Sequence, residues 1–186
     1  LIAVSGMGDK REENLEKLTR RLVKNDISSP NPKCNSFLDR LIKGLPKNRQ
    51  RVLLIVGSYE QSKLVKETIE FMREDLKKEQ SVIRMESDSV FDLVENEDNY
   101  DDGIIFRSEI ESFIDTEAWI LIAPSLAIER GHNILNQIME AAIGAVLFLV
   151  RPMPHPEDFT ININLHNSWT LNYLSTKKYF MQNSTP

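Results

Sequence analysis

Residues 51–57 read RVLLIVG, an apolar run without a polar break, closed by glycine. A strand with one face in water alternates apolar and polar residues; a continuous run marks a strand covered on both faces, as in a parallel sheet. Two more such runs follow, AWILIAP at 118–124 and GAVLFLV at 144–150, with a shorter one, SVIRM, at 81–85. Parallel neighbours need crossovers of a dozen or more residues, and the spacing between these runs supplies them. The expectation is one mostly parallel sheet containing 52–57, 82–85, 118–123 and 144–150, with 144–150 fully buried like 52–57.

The intervening segments carry helical spacing. Leu15, Leu18 and Leu22 predict a helix over 10–24. Phe37, Leu38, Leu41, Ile42 and Leu45 predict one over 35–45, closed by Gly44 and Pro46. Val65, Ile69, Met72 and Leu76 predict a helix from Ser58 to about Lys78. Further helices are expected at 104–114 and, from Ile134, Ile138 and Ala142, at 133–142. The Ser28–Pro32 segment is a break, and Leu1–Val4 looks like a strand end. Strands alternating with helices give an α/β class, a doubly wound and mostly parallel sheet flanked by helices. The domain is expected to span 1–158, with linker and helices in 1–50 and the sheet core in 51–150. Pro152, Pro154 and Pro156 remove backbone donors and close the sheet, leaving 159–186 as an irregular extension.

With 186 residues, the chain has the length of one domain with a sizeable core. Hydrophobic residues make up 41% and charged residues 27%. No run approaches the ~20 apolar residues of a membrane helix, so no membrane partner is expected. Cys34 is the only cysteine, which rules out an internal disulfide and a cysteine-based zinc site and fits a reducing cytoplasm. A net charge of −5 gives no global attraction to nucleic acid. It still allows a local basic face, either Arg11, Lys17, Arg20, Arg21 and Lys24 or Lys43, Lys47, Arg49 and Arg51. Either group also reads as a solvated flank. The opening Leu-Ile-Ala-Val-Ser-Gly, without an initiator Met, reads as a piece of a longer protein that starts inside a strand.

In a parallel sheet, ligands bind at the carboxyl ends of the strands. Three loops therefore hold the candidate chemistry: 57–61, 87–89 and 123–133. Gly6 and Gly8 suggest a phosphate loop, but neither a dinucleotide fingerprint nor Gly-Lys-Ser/Thr is present in the chain, so a plain turn is the simpler reading. His132, His155 and His166 are scattered. Glu129 and His132 alone make a poor zinc site, and the acidic 86–102 stretch lacks calcium-loop spacing. A hydrolase elbow is also missing.

The stretch APSLAIERGHNI, residues 123–134, resembles motif V of superfamily 2 helicases and translocases. Ser125, Arg130, Gly131 and Asn133 fall on its positions. RVLLIVGSYEQSKLV resembles motif IV, Ser5-Gly6-Met7 stands where motif III would close a preceding domain, and GAVLFLVRPMPHPED resembles the strand after motif V in DinG-like and XPD-like helicases. The likeness covers roughly 1–6 and 50–158; motif VI, Walker A and Walker B are not recognisable in the chain. It implies a second RecA-like domain, with ATP and Mg2+ held in a full-length parent together with an upstream RecA-like domain, and with DNA or RNA as partner. It further implies that Gly57, Ser58, Tyr59 and Ser125 contact a phosphodiester backbone, that Arg130 is the catalytic residue, either pairing with a carboxylate across the domain cleft or reaching phosphate directly, and that Gly131 and Asn133 face the nucleotide. Lacking a P-loop, the chain alone is expected to hold no cofactor and to hydrolyse no ATP. Alternatives are a Rossmann-like nucleotide- or sugar-phosphate-binding enzyme and a degenerate helicase-like interaction domain. Asn133 also reads as a simple cap for a following helix.

Overall fold

The computed structural model describes residues 10–25, 35–90, 103–128 and 132–151. The expected strand end at 1–4, the Gly6–Gly8 turn, the Ser28–Pro32 break, most of the acidic stretch and everything from residue 152 onward lie outside them.

Among the described residues five parallel strands form one sheet: β1 (Arg51–Val56), β2 (Val82–Glu86), β3 (Ile104–Phe106), β4 (Ile120–Pro124) and β5 (Ile143–Phe148). Their order is β3-β2-β4-β1-β5. The four expected strands thus share one sheet. The helices are α1 (Arg11–Val23), α2 (Phe37–Gly44), α3 (Tyr59–Met72), α4 (Glu74–Lys78) and a single turn, α5 (Ser125–Ile128).

Successive side chains of a strand point to opposite faces, and β1 feeds two cores. Val52, Leu54 and Val56 meet Val65 and Ile69 of α3, with Leu15 and Val23 of α1 and Leu38 of α2 in the same cluster. Leu53 and Ile55 face the other way, onto Ile110, Phe113, Ala127, Ile134 and Ala142. Val65 and Ile69 are fully buried, and such a side chain stabilises the fold by about 1.5–3 kcal/mol.

Sheet order explains the two faces. The chain moves in one direction from β1 to β2 through α3, and in the other from β3 to β4 and from β4 to β5. Right-handed crossovers running in opposite directions must lie on opposite faces. Accordingly α3 lies on one face, and the elements before and after β4 lie on the other.

Four expectations need correction. Residues 104–114 are not one helix. Ile104–Phe106 pairs with Arg84–Glu86 as β3, and Arg107–Asp115 is 3-10. Two β-branched residues and an aromatic favour the strand, while Ile110 and Phe113, three apart, stack on one side of a 3-10 segment. Residues 133–142 are not a helix either. The Asn136 side-chain oxygen accepts from the amides of Ile138 at 3.1 Å and Glu140 at 2.9 Å, closing a turn between the paired residues Leu135 and Ala141. This is the asparagine side-chain bond that competes with helix. Ile134 and Ala142 are buried, but Ile138 is 65% exposed. With no helix after it, Asn133 caps nothing.

The expected helix from Ser58 to Lys78 breaks at Arg73, whose backbone leaves helical geometry. Its buried guanidinium binds Asp39 at 2.9 Å and Asp75 at 2.7 Å. Asp39 also closes the capping box of α2 with Ser36. Finally, β5 is not fully buried. Among the described residues its only neighbour is β1, and Val146 and Phe148 are about half exposed on the face of Leu53 and Ile55. Gly144 is required there, because a Cβ would collide with the Arg49 carbonyl.

No helix among the described residues is long and apolar enough to cross a membrane.

Candidate functional site at the carboxyl edge of the sheet

Neighbours β1 and β4 end together, with Val56 in register with Pro124. From there the chain departs to opposite faces, into α3 after β1 and into α5 after β4. This is a topological switch point, the place where open α/β sheets form a ligand crevice. It brings Gly57, Ser58 and Tyr59 next to Ser125.

Ser58 is the N-cap of α3, with extended backbone, and its hydroxyl oxygen accepts from the Gln61 amide at 3.2 Å. The same hydroxyl holds the exposed Glu60 carboxyl below its usual pKa. Gln61 folds back so that its side-chain oxygen accepts from the Gly57 amide at 2.8 Å. A Cβ on residue 57 would lie 2.9 Å from that oxygen, so a side chain there would displace the Gln61 amide group. The Ser62 hydroxyl lies 2.6 Å from the Tyr59 carbonyl and 3.2 Å from the Met85 carbonyl, tying α3 to the end of β2. Ser125 is half-buried at the start of α5 and, among the described residues, its side chain makes no hydrogen bond. Of the two serines, Ser125 is the open one; Ser58 is already employed as a cap.

Tyr59 packs against the core cluster of the 3-10 face. Burial pushes its hydroxyl pKa up; Arg107 pulls it back, and Asp88 and Glu86 push it further up. The ends of β2 and β3 therefore belong to the same edge. The Asp88 carboxylate accepts from the Ser108 amide and hydroxyl, both at 2.9 Å. Glu86 is paired with Arg84 and accepts from the Ser87 amide at 3.0 Å. The hydroxyls of Ser87 and Ser89 are 2.8 Å apart. Arg107 and Ser108 escape a reading of the sequence because 104–114 has helical spacing; Gly103 followed by Ile-Ile-Phe is the signal that points to a strand.

Asn133 is exposed and is not gathered into this crevice. It lines an apolar cavity of about 230 Å³ on the 3-10 face, with Leu53, Ile128, His132 and Ile143, below the strand ends. His132 Nε2 lies 3.2 Å from the Ala127 carbonyl and holds this segment to α5. Arg130, Gly131 and Glu129 lie outside the described residues. Among the described residues there is no group of three or more His, Cys, Asp or Glu placed to hold a metal.

A cavity of about 770 Å³ lies at the amino ends of β1 and β4 and is lined by Gln50, Arg51, Thr116, Trp119 and Asn136 among others. Several of its polar groups are turned on one another. Arg51 donates to the carbonyls of Phe113, Ile114 (2.9 Å) and Thr116 (2.7 Å) and lies over the Phe113 ring. Asn48 donates to Glu140 at 2.8 Å, and Asn136 to the Asn48 carbonyl at 3.3 Å. These bonds bind the 3-10 segment and the 135–141 turn to β1, so we assign this cavity a structural origin and place the candidate site at the carboxyl edge.

Comparison with protein-family models, with curated proteins and with solved structures gives no match in any of the three.

Proposed function

We propose that this chain is the second RecA-like domain of an ATP-dependent nucleic-acid helicase or translocase, forming part of the ATP cleft and of the nucleic-acid track. The observation that carries this reading is the switch point. The two loops that resemble motifs IV and V, at 57–59 and from 125, adjoin there at the ends of paired strands. A small hydroxyl and a glycine amide at strand ends hold a phosphodiester without reading bases. Among the described residues no hydrogen bond engages the Ser125 hydroxyl, which leaves it open to such a contact. The Gly57 amide becomes available when Gln61 swings away. In this reading Arg130 reaches into the ATP cleft and Gly131 faces the nucleotide, while Asn133, which lines the apolar cavity below the strand ends, is left out of that contact. ATP and Mg2+ bind in the full-length parent, between this domain and an upstream one.

The test is equilibrium binding of a fluorescent single-stranded oligonucleotide to the purified chain at one fixed salt concentration. The expected result is binding without ATP turnover, weakened about equally on different base sequences by Ser58→Ala and by Ser125→Ala. In the full-length parent, Arg130→Ala should sharply reduce nucleic-acid-stimulated ATPase in a folded protein. Micromolar ATP binding with turnover by the chain alone would favour a Rossmann-like nucleotide enzyme, for which the same crevice and the α3 N-terminus are suitable. Wild-type behaviour of all three variants would leave the edge as a plain set of connections.

A further inference from the structure

The strand that sequence spacing conceals brings a third loop to the ligand edge. Phe106, the last residue of β3, is in register with Glu86 of β2, so Arg107 emerges at the carboxyl end beside the 87–89 loop. It is half-buried, and among the described residues it has no ion pair. Two carboxylates described at the same edge are engaged elsewhere, Glu86 with Arg84 and the Ser87 amide, Asp88 with Ser108. Holding a cation partly out of water without a counter-ion costs free energy, and such an arginine is suited to an anion that arrives from outside. Tyr59, which packs against the core of the 3-10 face, lies within electrostatic reach of Arg107.

We infer that Arg107 is a phosphate contact at the β3 end of the carboxyl edge, extending the track of Ser58 and Ser125 across the sheet. The inference rests on the nucleic-acid reading above and adds a charged contact to a track otherwise made of hydroxyls and amides. The distinction is measurable. A cation that neutralises a phosphate releases a counter-ion, so each one contributes about 0.7 to the slope of log affinity against log salt on a single strand. A hydroxyl contributes affinity without slope. Asp88 and Glu86 oppose an incoming phosphate, and removing one of those charges should help binding.

The experiment is a salt titration of single-strand binding by the wild-type chain and by Arg107→Ala, Arg107→Lys, Asp88→Asn and Ser125→Ala, with circular dichroism as the check on folding. Arg107→Ala should weaken binding by roughly tenfold at low salt and lower the slope by about 0.7. Arg107→Lys should keep the slope, Asp88→Asn should tighten binding, and Ser125→Ala should weaken binding at unchanged slope. Wild-type binding whose slope is the same with and without Arg107 overturns the inference and leaves the track at β1 and β4. Absence of any single-strand binding by the wild-type chain overturns the nucleic-acid reading itself, and the Arg107 contact with it.

Discussion

On one side of the sheet, Val52, Leu54 and Val56 lie beneath α3, with α1 and α2 completing the same cluster; on the other, Leu53 and Ile55 lie beneath a 3-10 segment, a single helical turn and the 134–142 turn. The strands are the same and equally apolar, but the covers are held differently. The helical cover carries its own backbone hydrogen bonds and needs only an apolar stripe to dock. The irregular cover leaves carbonyls and amides to be satisfied one by one. Side chains do that work: Arg51 on three carbonyls, Arg49 on the Ala141 carbonyl at 2.8 Å, Asn136 on two amides. A sheet face can thus be sealed without a helix if polar side chains take over the backbone bonding.

The strongest test of this comparison is core truncation. If the irregular cover is packed as closely as the helical one, Phe113→Ala should cost about 3–5 kcal/mol and Ile69→Ala about 2–5 kcal/mol. Urea unfolding of the two variants checks it; a cost below about 1 kcal/mol for Phe113→Ala would mean the 3-10 segment only rests on the sheet.

Next comes the polar fastening of that segment. Arg51→Ala removes a donor from three carbonyls, of which that of Phe113 keeps the Thr116 hydroxyl at 2.8 Å, and should cost about 1–3 kcal/mol. Arg51→Lys should recover only part of it, since an ammonium lacks the planar fork that reaches several carbonyls at once. Full rescue by lysine would show that charge, not the fork, matters there.

The helical side has its own fastening, and it depends on pH. Burial raises the Asp39 carboxyl pKa, but hydrogen bonds from Arg73 and Ser36 outweigh it and hold it below the usual carboxylate range. The hydrogen bond from Arg73 likewise lowers Asp75. A depressed folded pKa gives stability that is present above about pH 4 and lost as pH falls through the folded value. Acid unfolding should therefore loosen α2 from the α3–α4 junction, and Asp39→Asn should flatten the acid limb of the stability profile by about 1–3 kcal/mol. Unfolding midpoints between pH 2 and pH 7 decide this; an unchanged acid limb would remove the Arg73 network from the account.

Smallest are the effects at the switch point, where the two covers begin. Ser58→Ala removes the α3 cap and should cost about 1 kcal/mol. Ser125→Ala removes no hydrogen bond among the described residues and should change stability by no more than about 0.5 kcal/mol. Thermal melts that give the two serines equal costs would contradict their division into cap and open hydroxyl.

The same difference in covers decides what could be read from the sequence. Continuous runs such as RVLLIVG give the central strands, and the leucine spacing gives α1 and α2, because helices docked on an apolar sheet must repeat every three to four residues. On the irregular side that rule misleads. Ile134, Ile138 and Ala142 have helical spacing, yet the Asn136 side chain closes a turn first. Ile104–Phe106 is too short a strand to leave a periodic trace. The break in the 58–78 helix depends on Arg73 meeting Asp39, a contact far apart in the chain. At the candidate site, the loops after β1 and β4 follow from strand-end reasoning, whereas Arg107 needs β3 to be known, and Gln61 on the Gly57 amide needs a rotamer that no spacing encodes.

The place of β1 between β4 and β5 also bears on how the chain reaches this fold. Val52 pairs with Ile120 on one side and Ala145 on the other, partners that come roughly 70 and 90 residues later. No pairing of β1 is local, so the centre of the sheet closes through long loops, a topology that folds slowly. During synthesis β1 emerges early and keeps two open apolar edges until β4 and then β5 follow. Over that interval RVLLIV is the segment most exposed to pairing with another chain, and a truncation ending before residue 143 would make that exposure permanent on one edge.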